Sequence, residues 1–190
     1  MINEERKFRL AGQSVVIDDF PAEGLILDIG GGGEGVIGQL KGAQVVAIDT
    51  LPRELIEAPA GPLKIIMDAR DLKLLDNTFD TVTAFFSFMF MPPNDHVKVF
   101  QEIFRVLTPK GQFMLWDIEI QKRPEPQRDL LVFPLQVTLP STVIHTGYGT
   151  PYTERSITME DYLDLAEQSG FQGLERRRTG QNFFCRFQKP

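Results

Sequence analysis

Four consecutive glycines, Gly30 to Gly33, stand directly after a short apolar run in LILDIGGGGEGVIGQL, and a helical pattern follows them. Glycine adopts a positive φ at little steric cost and lets a ligand approach the backbone closely. The N-terminus of the following helix offers free N–H groups and a partial positive charge to an anionic group. This order of strand, glycine loop and helix predicts a cofactor site.

Two classes of cofactor fit this loop, and acidic residues distinguish them. Gly30, Gly32 and Gly35 satisfy the pattern G-x-G-x-x-G. Asp49 follows about 20 residues later, as does the acid that holds a ribose in the dinucleotide fingerprint. Asp28, two residues before the first glycine, would repel the diphosphate of NAD but attract an amine or a sulfonium. S-adenosylmethionine carries both of these cations, and its only anion is one carboxylate.

The elements that must position these residues alternate between short apolar runs and helical patterns, which is typical of a parallel sheet wrapped by helices. Strands are predicted at 25–28, 45–48, 64–67, 81–86 and 112–117. Helices are predicted after Gly35 and at 52–57, 94–107 and 159–169. Two final strands, 171–178 and 182–187, flank a turn at Gly180. The predicted fold is α/β, a Rossmann-like, doubly wound, mostly parallel sheet with an antiparallel last strand.

The segment 118–157 departs from this alternation. It contains five of the 13 prolines and no clear helical pattern, and two strand-like runs within it meet near Pro140 and Ser141. Long segments of this kind between sheet elements are commonly lids or binding loops. We therefore predict one domain, 1–190, with 118–157 as a lid or insert. Residues 1–24 are expected to add one helix, 4–11, and a strand in SVVIDDF.

Composition limits the classes of partner. The chain of 190 residues carries 20 Lys and Arg against 26 Asp and Glu, a formal net charge of −6. That sign disfavours nucleic-acid backbones and anionic membranes. One cysteine, Cys185, excludes internal disulfides and cysteine-rich zinc sites, and no metal site is predicted. The charged N-terminus and the absence of a long apolar run predict a soluble, cytoplasmic protein.

Four motifs occur in one order between residues 25 and 117: LDIGGGG, VVAID, the pair KIIMDA and FDTV, and EIFRVLTPKG before a strand. In this order and spacing the chain resembles a class I S-adenosylmethionine-dependent methyltransferase. It is most similar to the small ubiquinone/menaquinone-biosynthesis type, the methyltransferase type 11 group. The resemblance implies the class I methyltransferase fold, S-adenosylmethionine as cofactor, and methyl transfer.

The resemblance also implies where the methionine and ribose portions bind. The loop around the methionine portion would be formed by Asp28, Gly30, Gly31 and Gly32. Within it, the Asp28 carboxylate would contact the amine. Asp49 would accept hydrogen bonds from both ribose hydroxyls, and Thr50 and Leu51 would line the adenosine.

The same resemblance assigns the adenine contacts and the floor of the site. Asp68 would accept from the exocyclic amine of adenine, and the Ala69 N–H would donate to a ring nitrogen. Phe86 and Ser87, at the end of the fourth strand, would close the site beneath the sulfonium. These four residues complete the set expected to bind the cofactor.

One residue departs from the family pattern D-x-G-x-G-x-G, which would place glycine at position 34. Glu34 stands there instead. Its carboxylate is electrostatically favourable at the start of a helix. Either it points to solvent or it helps to hold the amine of the cofactor.

The methyl acceptor is expected to be a small, partly apolar molecule, because AFFSFMFMPP follows the fourth strand and its far end can line a pocket. No N-P-P-Y sequence, a mark of nucleobase amino methylation, occurs there. His145 and Tyr148, in HTGYG, are the candidate catalytic groups. Asp117 and Glu119 are alternatives that could orient an acceptor, and His96 is expected to be exposed or to cap a helix.

Methyl transfer from a sulfonium is an in-line displacement, for which orientation supplies roughly 7–11 kcal/mol of a barrier. The predicted function is this transfer to a small-molecule acceptor. Two alternatives stay open at this point: an NAD-dependent oxidoreductase using the same glycines, and a non-catalytic domain that only binds S-adenosylmethionine.

Overall fold

The computed structural model describes residues 4–122, 128–152 and 155–190. Within these ranges the strands are, in chain order, β1 (Lys7–Arg9), β2 (Gln13–Val16), β3 (Ile26–Ile29), β4 (Val45–Asp49), β5 (Leu63–Ile66), β6 (Phe79–Phe85), β7 (Leu107–Ile118), β8 (Leu130–Leu139), β9 (Thr142–Pro151), β10 (Gln172–Thr179) and β11 (Asn182–Gln188). The α-helices are α1 (Val36–Lys41), α2 (Pro52–Glu57), α3 (His96–Val106) and α4 (Met159–Gln168).

The larger sheet has seven strands in the order β10-β11-β7-β6-β3-β4-β5. Strands β3 to β7 run parallel to one another, whereas β11 is antiparallel to both of its neighbours. All four residues of β3, including Asp28, are buried, as expected for a central strand of a parallel sheet that is covered on both faces. The predicted α/β fold with an antiparallel last strand is confirmed.

Parallel strands bring their carboxyl ends to one edge of the sheet, and the chain order reverses between β3 and β6. Ligands of doubly wound folds bind in the crevice outside that edge, at the point of reversal. Here β3 pairs with β4 on one side and with β6 on the other. The glycine loop leaves β3 at this position, so the topology places it at the crevice.

A second, smaller sheet is formed by β1, β2, β8 and β9. Strands β8 and β9 form a hairpin of ten residue pairs, from Leu130 with Pro151 to Leu139 with Thr142. β1 and β2 both run parallel to β8 along its other edge. The predicted helix over 4–11 is therefore wrong: Glu4–Arg6 form a single 3-10 turn and Lys7–Arg9 a strand. Lys7–Arg9 are extended because they pair with β8, and this pairing outweighs the local helical pattern.

The smaller sheet lies over the carboxyl-end edge of the larger one. Alternate residues of β8, including Phe133 and Leu135, are buried, as expected for a strand with one face toward the core. The Phe133 ring lies 6.1 Å from Phe86, and the Thr150 hydroxyl donates to the Met89 carbonyl at 2.6 Å. Most of the predicted lid segment is thus an integral sheet, although 123–127 and 153–154 lie outside the described residues.

Candidate active site

A cavity of about 800 Å³ opens at the carboxyl ends of β3, β4 and β6. Every residue that the resemblance assigned to the cofactor lines it: Asp28, Gly30, Gly31, Gly32, Asp49, Thr50, Leu51, Asp68, Ala69, Phe86 and Ser87. They come from four separate stretches of the sequence. The fold therefore brings together the complete set that the motifs predicted.

The glycine loop follows the end of β3 and is held by backbone hydrogen bonds. The N–H groups of Gly30 and Gly31 both donate to the Ile48 carbonyl of β4, at 2.9 and 3.1 Å. Gly30 has a φ of 70°, and an added Cβ would lie 2.5 Å from the Cβ of Ser87. Only glycine fits at position 30, because both the backbone angle and this close approach exclude a side chain.

Asp28 is buried at the centre of the site. Its Oδ1 accepts a 2.7 Å hydrogen bond from the Thr83 hydroxyl on β6. The pKa of Asp28 is raised to about 7, mainly by burial; the hydrogen bond from Thr83 lowers it and the nearby charge of Asp49 raises it. Without a cation beside it, this carboxyl group is half protonated near neutral pH.

This burial predicts that S-adenosylmethionine binds more tightly as the pH rises. The cationic portion of the cofactor favours the ionised carboxylate, so binding lowers the pKa of Asp28 and releases a proton. Because the pKa without ligand is about 7, we expect affinity to rise roughly tenfold between pH 5.5 and pH 7. Calorimetry in two buffers of different ionisation enthalpy measures the released proton. Asp28→Asn should abolish both effects, and a flat profile in the parent protein would contradict the assignment.

Asp49 ends β4 and faces the same cavity. Its Oδ1 accepts from the Leu51 N–H at 2.8 Å, and burial raises the pKa of its carboxyl group. Asp68, beyond β5, is held differently: Nε and Nη2 of Arg70 donate to its two carboxylate oxygens, and the third nitrogen, Nη1, donates to Asp95 at 2.9 Å. An adenine amine bound at Asp68 would share this carboxylate with Arg70.

Phe86 and Ser87 form the floor of the cavity after β6. Phe86 is buried with a φ of 48°, and its N–H donates to the Trp116 carbonyl at 2.8 Å. A positive φ in a bulky residue is a strained conformation and is found mostly at functional sites. Ser87 is 6% exposed, and its hydroxyl oxygen has no hydrogen-bond partner in the described part of the protein.

The two candidate catalytic residues on β9 have different surroundings. Tyr148 lines the cavity, and its ring lies 5.8 Å from Phe86 and 6.1 Å from Phe90. Burial raises the pKa of its phenol, so Tyr148 is a hydrogen-bond donor and not a base near neutral pH. His145 is exposed and does not line the cavity, because alternate residues of a strand face opposite sides. The structure does not bring His145 into the site.

Glu34 connects the glycine loop to this hairpin. Its Oε2 accepts a 2.9 Å hydrogen bond from the Tyr148 hydroxyl, and its Oε1 accepts one from Thr146. Orientation toward solvent is wrong for this carboxylate, because both oxygens are bound to β9. Sequence inspection missed these contacts, since more than 100 residues separate the partners. Contact with the amine of the cofactor, the other alternative, stays a prediction.

Two buried polar residues, Asp117 and His96, lie close to the residues that form the floor of the cavity. Asp117 is fully buried at the end of β7, where its Oδ2 accepts from the Met89 N–H at 3.2 Å and burial raises its pKa to about 7. His96 is also buried, with Nε2 at 3.2 Å from the carbonyls of Phe88 and Met91. The expectation of an exposed or capping His96 is wrong, because its side chain is buried and contacts the carbonyl of Phe88 in the 3-10 turn Phe88–Phe90.

The strand order, the glycine loop and the acidic residues at the strand ends define a class I methyltransferase fold. Solved structures share it. The PH0226 protein of Pyrococcus horikoshii is 21% identical, with a TM-score of 0.65 over 88% of this chain and 82% of that one. A SAM-dependent methyltransferase from Methanosarcina mazei is 18% identical, with a TM-score of 0.63 over 90% and 94% of the two chains. At these identities the likeness concerns the fold.

The sequence carries a second likeness. Residues 27–115, just under half of the chain, match the family model described as a methyltransferase domain. This match, together with the fold, indicates S-adenosylmethionine as the cofactor. The NAD alternative allowed by the glycine pattern is thereby set aside. A comparison with curated proteins found no match.

Proposed function

We propose that the protein transfers the methyl group of S-adenosylmethionine by in-line displacement to a small, partly apolar acceptor. The observation that carries this proposal is the continuity of the cavity. Its cofactor residues lead without a break to Phe86, Phe90 and Met91, and Tyr148 of the smaller sheet closes it from above. A small molecule with apolar surface fits this aromatic end.

The roles that we propose for the site residues are those implied by the family resemblance, and their places around the cavity support them. The S-adenosyl portion lies along Asp49, Thr50 and Leu51, with adenine at Asp68 and Ala69. The methionine portion lies in the glycine loop beside Asp28, and Phe86 and Ser87 lie beneath the sulfonium. In such a displacement the protein contributes mainly alignment and exclusion of water.

The smaller sheet is the part that we assign to acceptor binding and water exclusion. Its β9 strand contributes Gly147 and Tyr148 to the cavity, and the hydrogen bonds to Glu34 hold it against the glycine loop. Because one face of β8 is buried, the smaller sheet is a packed part of the fold and not an exposed loop. The sequence-based prediction of a lid over 118–157 is retained in this form.

Other partners and the location of the protein stay predictions. Within the described ranges, no helix is long and apolar enough to cross a membrane. The acidic lining of the cavity supports the expectation that nucleic acid is not the acceptor. A cytoplasmic location is retained as a prediction from the sequence.

Asp49→Ala tests the cofactor assignment. Loss of this carboxylate leaves the ribose hydroxyls without their acceptor, so we expect affinity for S-adenosylmethionine to fall by about 1–3 kcal/mol. Calorimetry measures the change, and circular dichroism checks that the fold is intact. Asp164→Ala, at an exposed position of α4 outside the cavity, is the matched control. Equal affinity of the two variants would remove Asp49 from the site.

A further inference from the structure

The charges that line the cavity are strongly unbalanced. Among the described residues that line it, the one cationic group is the Arg70 guanidinium, which is already bonded to Asp68 and Asp95. The lining carboxylates are Asp28, Glu34, Asp49, Glu54, Glu57, Asp68 and Asp95. Of these, Glu54 and Glu57 are paired with Arg53, which lies outside the lining, so the balance stays negative. S-adenosylmethionine carries a net charge of only one positive unit, so an acceptor enters a cavity that is still negative. An anionic acceptor would find no free counter-ion there among the described residues.

Glu34 is the carboxylate at the acceptor end. It is half-buried, and its hydrogen bonds come from two neutral hydroxyls, those of Tyr148 and Thr146. No ion pair to Glu34 is formed within the parts of the chain that the structure describes. A partly buried carboxylate without a cation is unfavourable, and a positively charged ligand beside it would relieve that cost.

Two further features of the same end suit a nitrogen ligand. The Ser87 hydroxyl is buried, unpartnered and on the cavity floor, so a ligand N–H can supply the hydrogen bond that the protein does not. Phe86, Phe90 and Tyr148 surround the space with aromatic faces, and Phe90 is 52% exposed at the mouth. Aromatic faces attract cations within about 6 Å of the ring centre.

We infer that the methyl acceptor is an amine, recognised by the Glu34 carboxylate and the Ser87 hydroxyl within this aromatic wall. The inference rests on the proposed function and specifies its substrate class. An acceptor that arrives as an ammonium first gives one proton to water. The nitrogen lone pair then forms the N–C bond as the S–C bond breaks. The electron pair of the broken bond passes to sulfur, giving S-adenosylhomocysteine, and the product leaves as a methylated ammonium.

The test compares three probes of similar shape in the presence of saturating S-adenosylhomocysteine: phenethylamine, 2-phenylethanol and 3-phenylpropionate. We expect phenethylamine to bind at least tenfold more tightly than either of the others in calorimetry. Glu34→Gln should weaken phenethylamine binding, measured with saturating S-adenosylhomocysteine, at least fivefold, and by more than it weakens binding of S-adenosylhomocysteine itself. Glu167→Gln, an equal charge change at an exposed position of α4, should leave both unchanged.

A second variant and a second readout separate the possible failures. Ser87→Ala should weaken phenethylamine binding by several-fold, and transfer of labelled methyl to the amine should follow the binding order of the variants. Equal affinity for the three probes, no binding of the amine, or an amine preference that survives Glu34→Gln overturns the inference. Binding of S-adenosylmethionine is measured first: its absence overturns the proposed function, whereas its presence without an amine preference overturns only the amine inference.

Discussion

Replacing Gly31 by alanine is expected to weaken S-adenosylmethionine binding by about 100-fold or more. An added Cβ would lie 2.6 Å from the Asp28 carboxylate and 2.9 Å from the Cβ of Ala47. Both neighbours are buried, so the clash is relieved only by moving Asp28 or the loop itself. Overpacking of this kind costs about 1–3 kcal/mol, and 100-fold corresponds to about 2.7 kcal/mol.

The matched control is Gly173→Ala in β10, where an added Cβ would meet nothing within 4 Å. Calorimetry with S-adenosylmethionine gives the affinities, and thermal unfolding without ligand reports the stability of both variants. We expect the control to bind as the parent protein does. An affinity of the Gly31 variant within threefold of the control would contradict this prediction. It would show that the loop adjusts to the added methyl group and that cofactor binding does not depend on the present position of Asp28.

The parallel core of the fold was predictable because its signals are local. Strands such as β3 and β4 are short, continuous apolar runs that end at glycine or a polar residue, and helix α2 begins at Pro52, a favoured first helical position. The site residues were predictable for the same reason. Each lies at or just beyond the carboxyl end of a parallel strand, and topology alone brings those ends together.

The smaller sheet, which covers the site, was only partly predictable, because its strands pair across long sequence separations. The hairpin turn at Pro140 and Ser141 was found from local residues, whereas the pairing of β1 with β8 joins residues more than 120 positions apart. For this reason the helical pattern of residues 4–11 predicted a helix where the chain forms a 3-10 turn and strand β1. The burial of His96 was likewise hidden, because the carbonyls that hold it belong to an irregular turn without a sequence signature.

Tyr148→Ala is expected to lower the rate of methyl transfer by about 100-fold, or about 2.7 kcal/mol, with cofactor binding within about threefold. The Tyr148 ring packs against Phe86, Phe90 and Phe133 and forms the side of the cavity that faces the glycine loop. Without it, water reaches the sulfonium and the acceptor loses a wall, so the two reactants are no longer held in line. Transfer of labelled methyl to a small-molecule extract of cells, or to an amine acceptor, measures the rate.

Tyr148→Phe separates the ring from the hydroxyl. It keeps the aromatic wall but removes the donor to Glu34, so we expect a loss of only about threefold to tenfold, which is within the range of one ordinary hydrogen bond, about 0.5–1.5 kcal/mol. Tyr152→Ala is the control, since Tyr152 lies on the far side of the hairpin region, 6.0 Å from Phe8, and outside the cavity. If Tyr148→Ala transfers methyl as fast as Tyr152→Ala, the hairpin supports the fold without enclosing the reaction. If Tyr148→Phe is as slow as Tyr148→Ala, the hydrogen bond to Glu34, and not the aromatic wall, is what catalysis requires.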